Sequence, residues 1–370
     1  MDGSRCRSSA LHHAYWLVAV RRVTQTRRDG PGKDRSVLQI EDTQLSSQFR
    51  SLQEQLRDTL SRVVPDGSRI AYVDIPVHKN VGDLLIYLGT KNWFAQARLD
   101  VLGIWSLKQF TFPDFSRDTI IVAHGGGNMG DIYPEHERFR LELADRYRHH
   151  RIVVLPQTAH FQELEARARS LQAYRTHANC FIACRDQHSR SMMQEAIGER
   201  ALLAPDMATM LYPLRPRLGL GRTLKGQGTC YLMRTDEEQV AGQTPPSLGP
   251  RDSTGDWNQL MGMSLRLASR LMIDLDAWAR PPFLRDPFEH RWEGLAWRMV
   301  ARCAARMVRH ERIVTSRLHG HIMALLLDLP NELHDNSYGK NSRYFDTWHR
   351  DWQITKLVRP AAQAPGRFVA

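Results

Sequence analysis

Between residues 315 and 341 the chain gathers the side chains best suited to gripping a small anion and handing it a proton. Thr315-Ser316-Arg317-Leu318-His319-Gly320-His321 lies between an apolar run and a helix start, and Asp335-Asn336-Ser337-Tyr338-Gly339-Lys340-Asn341 follows. Arg317 offers a planar fork that matches a carboxylate or phosphate with two parallel hydrogen bonds. An imidazole can release a proton near neutral pH, which suits His319 to the role of acid. Exposed amides at a helix start attract anions. Lys340, in a glycine-containing loop expected beside the first segment, adds a point charge for phosphate. Ser316 is grouped with them in the substrate-binding set, as is His321, read as a support of the loop. The mixture indicates an anion-using transferase.

Those residues need strands to carry them. Ile70–Ile75, Thr119–Ala123, Arg151–Leu155 and Asn179–Ala183 read as buried strands, the third ending at Pro156-Gln157. Helices are expected from about Glu41 to Val63, from near Asp83, over Arg138–His149 and over Ser189–Gly198. Apolar strands alternating with helices predict a parallel sheet covered on both faces. A second unit opens with Gly228–Arg234, passes through a surface loop at Glu237–Asp256 and continues with a helix at Glu289–Arg309. The strand Arg312–Thr315, a helix His321–Leu327 and a short edge-like strand Pro330–His334 follow. The expected fold class is therefore α/β, with two Rossmann-like domains, 39–220 and 221–358, and a cleft between them. Basic or polar tails are expected at 1–38 and 359–370, the first poorly ordered by composition.

In open α/β sheets ligands bind at the carboxyl ends of strands. Val77–Asp83, His124–Asp131, Arg185-Asp186 and Ser316–His321 all fall at such ends. Gly125-Gly126-Gly127 reads as a glycine turn that either closes a strand-to-helix connection or lets the backbone approach a ligand. It lacks the further glycine of the dinucleotide fingerprint, so a nicotinamide cofactor has little support.

A chain of 370 residues fits two domains, and 42% apolar with 25% charged residues is the composition of a soluble globular protein. The net charge of +11 fits a basic surface or attraction to acidic substrates or an anionic membrane face. Nucleic acid is not expected as a partner, because the basic residues are spread out and no binding motif is present. The five cysteines read as reduced thiols; Cys180 and Cys184 lack a second pair for zinc. The apolar stretch 14–20 is too short to span a membrane, and no cleavage signature follows it. Asp74, Asp83 and Asp131 can approach one another, but nothing in their spacing demands a metal, and none is expected.

The ordered set of motifs resembles the polysaccharide pyruvyl transferase family. The matching segments are Asn80-Val81-Gly82-Asp83 with Ile86, His124–Asp131, Arg185-Asp186 with Ser189, Ala204-Pro205-Asp206-Met207-Ala208, Ser316–His321 and Asp335–Asn341, spanning about residues 68–350. The resemblance implies a fold like the two-domain GT-B glycosyltransferases. It also implies transfer of pyruvate from phosphoenolpyruvate to a sugar of an exopolysaccharide repeat unit, forming a ketal. The family's donor contacts fall on Arg185, Arg317, Leu318 and His319, and only the resemblance brings in Arg185. Asn80 and Gly126 join the substrate-binding set from the matched motifs. His319 is the expected acid and Asp83 the expected base, and a helix cap is the other reading of Asp83. No cofactor is expected besides the donor substrate. Phosphoenolpyruvate and a lipid-linked oligosaccharide are the expected partners, with Trp93, His160 and Tyr133 as acceptor-side candidates. The lipid-linked acceptor usual in the family implies a cytoplasmic location with peripheral contact to the inner membrane. A glycosyltransferase using a nucleotide sugar is the rival reading, and a basic scaffold without catalysis is a second.

Overall fold

The computed structural model describes residues 43–221, 226–234, 245 and 247–359. The expectations for the tails 1–38 and 360–370, and for residues 237–244 and 246 of the loop 237–256, fall outside them. Two wholly parallel sheets organise the chain. The first contains β1 (Arg69–Ile75), β2 (Asp100–Ser106), β3 (Ile120–Ala123), β4 (Gly126–Gly130), β5 (Ile152–His160), β6 (Cys180–Cys184) and β7 (Ala201–Leu203). Its order is β2-β1-β3-β5-β6-β7, with β4 pairing the far end of β5. The second contains β8 (Thr229–Leu232), β9 (Ser253–Gly255), β10 (Arg312–Thr315), β11 (Asn331–His334) and β12 (Thr355–Val358), ordered β12-β11-β10-β8-β9. Central strands such as β3 and β8 are buried along their whole length. That is why they read as unbroken apolar runs rather than alternating ones.

Several expected elements change on folding. The glycine turn at 125–127 is instead the entry to β4, which pairs in parallel with Gln157–His160. A Cβ on Gly130 would lie 1.7 Å from the His160 carbonyl oxygen, so only glycine lets these two segments meet. Strand β5 does not end at Pro156. Its pairing with β6 shifts register between Val154 and Gln157, so the missing proline N–H falls where the ladder is already irregular. The supposed edge strand near Pro330 is interior, because Thr355–Val358 takes the edge beyond it. The helix expected from Glu289 starts at Pro282 and runs to Met307 with Pro287 inside it. Strand β2 and the helices Leu164–Thr176 and Met263–Leu275 were not anticipated. Cys180 and Cys184 stand at the two ends of strand β6, and both thiols are buried.

One apolar cluster runs through both sheets, from Phe49, Tyr72 and Leu85 to Trp292, Ile322 and Leu333. The first helix (Gln44–Ser61) contributes directly. Thr43 caps it, accepting from the Ser46 amide at 3.2 Å, and Phe49, Leu52, Leu56 and Leu60 form its buried stripe. Phe49 stacks on Tyr212 and meets Trp352 edge-on, so the earliest described helix packs against the latest elements. Polar ties reinforce this: Trp292 donates to the Pro76 carbonyl at 3.0 Å, and Trp348 to the Arg185 carbonyl at 2.7 Å. Residues on both sheets are thereby held in fixed register with each other.

Candidate active site

Each sheet has one place where successive connections leave in opposite directions. In the first it lies between β1 and β3, and in the second between β8 and β10. Such switch points leave a crevice at the strand ends. Here both open onto the same cavity, of about 340 Å³. Asp74 and Pro76 from the end of β1 line it, with His124 and Gly125 after β3. Arg234 after β8 and Arg317 after β10 complete the frame.

The β10 side carries most of the anticipated chemistry. The Thr315 hydroxyl donates to the Leu232 carbonyl at 2.7 Å and accepts from the Arg317 amide at 3.0 Å, fixing the turn out of the strand. Arg317 is the N-cap of the helix Leu318–Leu326, which places His319 in its first turn. The Arg317 guanidinium does not stand open. Its Nε and Nη2 grip the two oxygens of Asp256, a buried carboxylate that also caps the helix Trp257–Met261. Asp256 was assigned to a surface loop from sequence; the structure makes it the intramolecular partner of the expected anion clamp. Lys340 is the first residue of the helix Lys340–Trp348 rather than a loop lysine. Gly339 before it has φ +78°, a conformation that favours glycine.

Arg185 and Lys340 converge from different sheets. A Cβ placed on Gly127 would lie 2.9 Å from Arg185 Nη2 and 3.7 Å from Lys340 Nζ. The missing side chain therefore leaves room for both cations at one wall. Arg185 is almost fully buried and held on two sides: Nε donates to the Thr158 hydroxyl at 2.8 Å, and Nη1 to Asp206 at 2.7 Å. The same Asp206 oxygen lies 3.2 Å from His319 Nε2. Asp206, with no exposed surface, thus links the arginine of the first sheet to the imidazole of the second. Burial alone would raise its pKa. His319 and Arg185 outweigh that and hold the carboxyl well below its ordinary range, so it is a fixed anion at neutral pH. With Nε2 engaged by Asp206, His319 Nδ1 lies against Gly82, 2.7 Å from where a Cβ on that glycine would stand. Sequence reading passed over Asp206, although the segment 204–208 was among the matched motifs. Nothing in linear spacing pairs position 206 with 185 and 319.

The opposite wall comes from the first sheet. Asn80 caps the helix Val81–Gln96, accepting from the Gly82 amide at 3.0 Å, and its amide nitrogen donates to Asp83 at 2.8 Å. The helix cap is therefore Asn80, and Asp83 sits in the first turn facing the cavity. Burial opposes its negative charge, but His78, His319, His124 and Arg185 together pull its pKa below the usual value. It is ionised and able to accept a proton, though as a weak base. A Cβ on Gly82 would stand 2.7 Å from His319, so this glycine lets the imidazole pack against the helix start. His124 is a second residue that sequence left without a role. Burial drives its pKa down to about 4, so it is neutral, and its Nδ1 lies 2.6 Å from the Tyr72 hydroxyl. Its buried Nε2 has no hydrogen-bond partner among the described residues. Gln157 pins the intervening backbone by donating to the His124 carbonyl and the Asn128 side chain, each at 2.9 Å.

Other anticipated residues fall elsewhere. His321 does not reach the cavity: it is buried between Asn331 Oδ1 at 2.6 Å and His349 Nδ1 at 2.7 Å, and burial keeps it neutral, with a pKa of about 4. It faces away because 319 and 321 are about 200° apart on a helix. Ser316 accepts from the Arg234 amide at 3.0 Å and is not on the cavity wall; Gly126 is not on it either. Trp93 is buried in the core and cannot stack on an acceptor. Tyr133 does line the cavity, and His160 stacks on Tyr338 with ring centroids 4.2 Å apart. Asp74 binds His136 at 2.8 Å, while Asp131 accepts from the amides of Gln162 and Glu163. Among the described residues no group of three or more His, Cys, Asp or Glu is placed to hold a metal.

Parallel Rossmann-like sheets with a cation-lined cavity and a carboxylate-backed imidazole make a site suited to holding an anion. A family model described as polysaccharide pyruvyl transferase matches residues 80–266. EpsO of Bacillus subtilis (strain 168), which bears a pyruvyl transferase name, is 33% identical over 315 residues, covering 85% of this chain and 95% of its own. Pyruvyl transferase 1 of Schizosaccharomyces pombe is 26% identical over 295 residues, covering 76% and 69%. The chain belongs to the polysaccharide pyruvyl transferase family and is a transferase enzyme. An uncharacterised Klebsiella pneumoniae protein of known structure shares the fold with a TM-score of 0.52 at 18% identity, over 85% of this chain and 99% of that one. Among the described residues no helix is long and apolar enough to cross a membrane.

Proposed function

We propose that the enzyme transfers pyruvate from phosphoenolpyruvate to a sugar of an exopolysaccharide repeat unit, forming a cyclic ketal and releasing phosphate. The observation that carries this reading is the convergence of Arg185 and Lys340 at Gly127, with His319 tied to Arg185 through Asp206. A donor with both a carboxylate and a phosphate needs several fixed cations, and Arg185, Arg234, Arg317 and Lys340 all line the cavity. In this reading the segments 39–220 and 221–358 form the two lobes of a GT-B-like arrangement, acceptor side first and donor side second.

The chemistry follows from the donor. His319 gives its proton to the methylene carbon of phosphoenolpyruvate, which becomes the methyl group, and positive charge gathers on the carbon bearing the phosphate. A sugar hydroxyl adds there and surrenders its proton to Asp83. The carbon–oxygen bond to phosphate breaks, phosphate leaves with its electron pair, and a second hydroxyl closes the ring, its proton passing to the His319 imidazole that gave up the first. Asp206 is a positioning residue: it holds Nε2 of His319 and keeps Arg185 in place. Arg317 meets the donor with Asp256 already in its fork, so an incoming carboxylate must share that guanidinium or displace Asp256. The acceptor is proposed to be a lipid-linked oligosaccharide presented at the cytoplasmic face of the inner membrane.

Purified enzyme, phosphoenolpyruvate and a lipid-linked oligosaccharide should yield a ketal-modified acceptor by mass spectrometry and one phosphate per ketal. A thermal-shift screen separates the rival donor: phosphoenolpyruvate should stabilise the protein and nucleotide sugars should not. Stabilisation by a nucleotide sugar alone would reverse the assignment.

A further inference from the structure

The helix Met263–Leu275 packs one side onto the body of the protein and leaves an apolar stripe uncovered. Met263, Leu267 and Leu271 are 64%, 62% and 60% exposed, and Leu275 continues the row. This i, i+4, i+8, i+12 series forms one line about 20 Å long on a 13-residue helix. The next turns extend it with Trp278, 78% exposed, and Phe283, 75% exposed. Exposed leucines are ordinary singly, but six large apolar side chains in one run are not.

We propose that this surface is a docking face for an anionic lipid bilayer, into which the stripe and the two aromatic rings insert. The charge around it decides between a bilayer and a protein partner. Arg266 and Arg270 each precede a stripe leucine by one position and so flank the row, and Arg280 is exposed between the two aromatic residues. Asp274 is the exposed acidic residue of that helix; the carboxyl of Asp276 is buried, bonded to Ser106 at 2.7 Å, and raised in pKa by burial. Arginines bordering a leucine face, with tryptophan and phenylalanine at its end, are the pattern of a helix lying in a lipid interface. A chain carrying +11 favours an anionic surface over a neutral one.

The face is wired to the cavity by short segments. Asp256 holds Arg317, Trp257 lines the cavity, and Gly262 turns the chain into the exposed helix at φ +80°. Docking would therefore set the cavity close to the lipid surface. The proposal shares with the proposed function only the lipid-linked acceptor.

Sedimentation of the full chain with vesicles tests it without any turnover, so its failure and failure of the pyruvyl transfer reading are distinguishable. The protein should pellet with vesicles of phosphatidylcholine and phosphatidylglycerol and remain largely in solution with phosphatidylcholine alone. Leu267→Glu with Leu271→Glu should weaken binding by at least about tenfold with an unchanged circular dichroism spectrum. Trp278→Ser with Phe283→Ser, on a different segment, should do the same independently. Equal binding by wild type and both variants, or no binding to either vesicle, overturns the proposal. Two other occupants also overturn it. A second copy would appear as a dimer that the glutamate variant dissociates. The chain's own residues 1–42 would appear as vesicle binding seen only after their removal.

Discussion

Replacing Asp206 by asparagine is the sharpest test of how the cavity works. The side chain keeps its size and loses its charge. Two neighbours then lose their counter-ion: Arg185, which is nearly fully buried, and His319 across the sheet boundary. Removing one member of a buried ion pair costs about 3–5 kcal/mol. The asparagine oxygen can keep one hydrogen bond, which argues for the lower end. At about 2–4 °C per kcal/mol in chains of moderate size, the midpoint of thermal unfolding should fall by roughly 5–10 °C. The sign of the pH dependence follows from the depressed native pKa of Asp206. The stability it contributes is present above the unfolded-state carboxylate pKa of about 4 and is lost as pH falls toward the native value. The gap between wild type and variant should thus be widest near neutrality and close on acidification. Catalysis should suffer separately. Without Asp206 the imidazole is no longer held by Nε2, and loss of general acid catalysis is worth about 10²–10⁴ in kcat. Arg185 should still attract the donor, so KM for phosphoenolpyruvate should stay level or fall. Scanning calorimetry across pH, together with steady-state phosphate release, reads all of this. A variant with near-normal kcat and an unchanged acid limb of stability would refute the linkage of Arg185, Asp206 and His319.

Other expectations can be checked in the same assays. His319→Ala should abolish most turnover while phosphoenolpyruvate still raises the unfolding midpoint; unchanged turnover removes His319 from the acid role. Lys340→Met should raise KM for the donor about 10–100-fold, the usual worth of a charged hydrogen bond, with kcat less affected. Gly127→Ala places a methyl group 2.9 Å from an arginine nitrogen that Thr158 and Asp206 hold in place, so KM should rise about tenfold from overpacking of 1–3 kcal/mol. Gly82→Ala should strike kcat instead, because its methyl would press on the His319 ring.

The sequence by itself determined a good deal. Apolar runs such as Ile70–Ile75 and Arg312–Thr315 are strands because a parallel strand is buried on both faces and needs no polar alternation. Polar clusters placed directly after those runs had to collect at the strand ends, which made Arg317, His319 and Asp83 visible as site candidates, while Arg185 came from the family resemblance. Strand β2 was harder to read: it lies at the sheet edge, with its first three residues only partly covered. The helix Leu164–Thr176 buries only Ser170, Leu171 and Tyr174, which gives little apolar period to detect. What tertiary structure alone decided is which charge meets which. Asp206 and Asp256 lie 113 and 61 residues from the partners they hold, His319 and Arg317. Local propensity carries no signal across such distances. Only the meeting of two sheets at their switch points turned a separate set of basic residues into one cavity wall, with two of its members already paired to buried carboxylates.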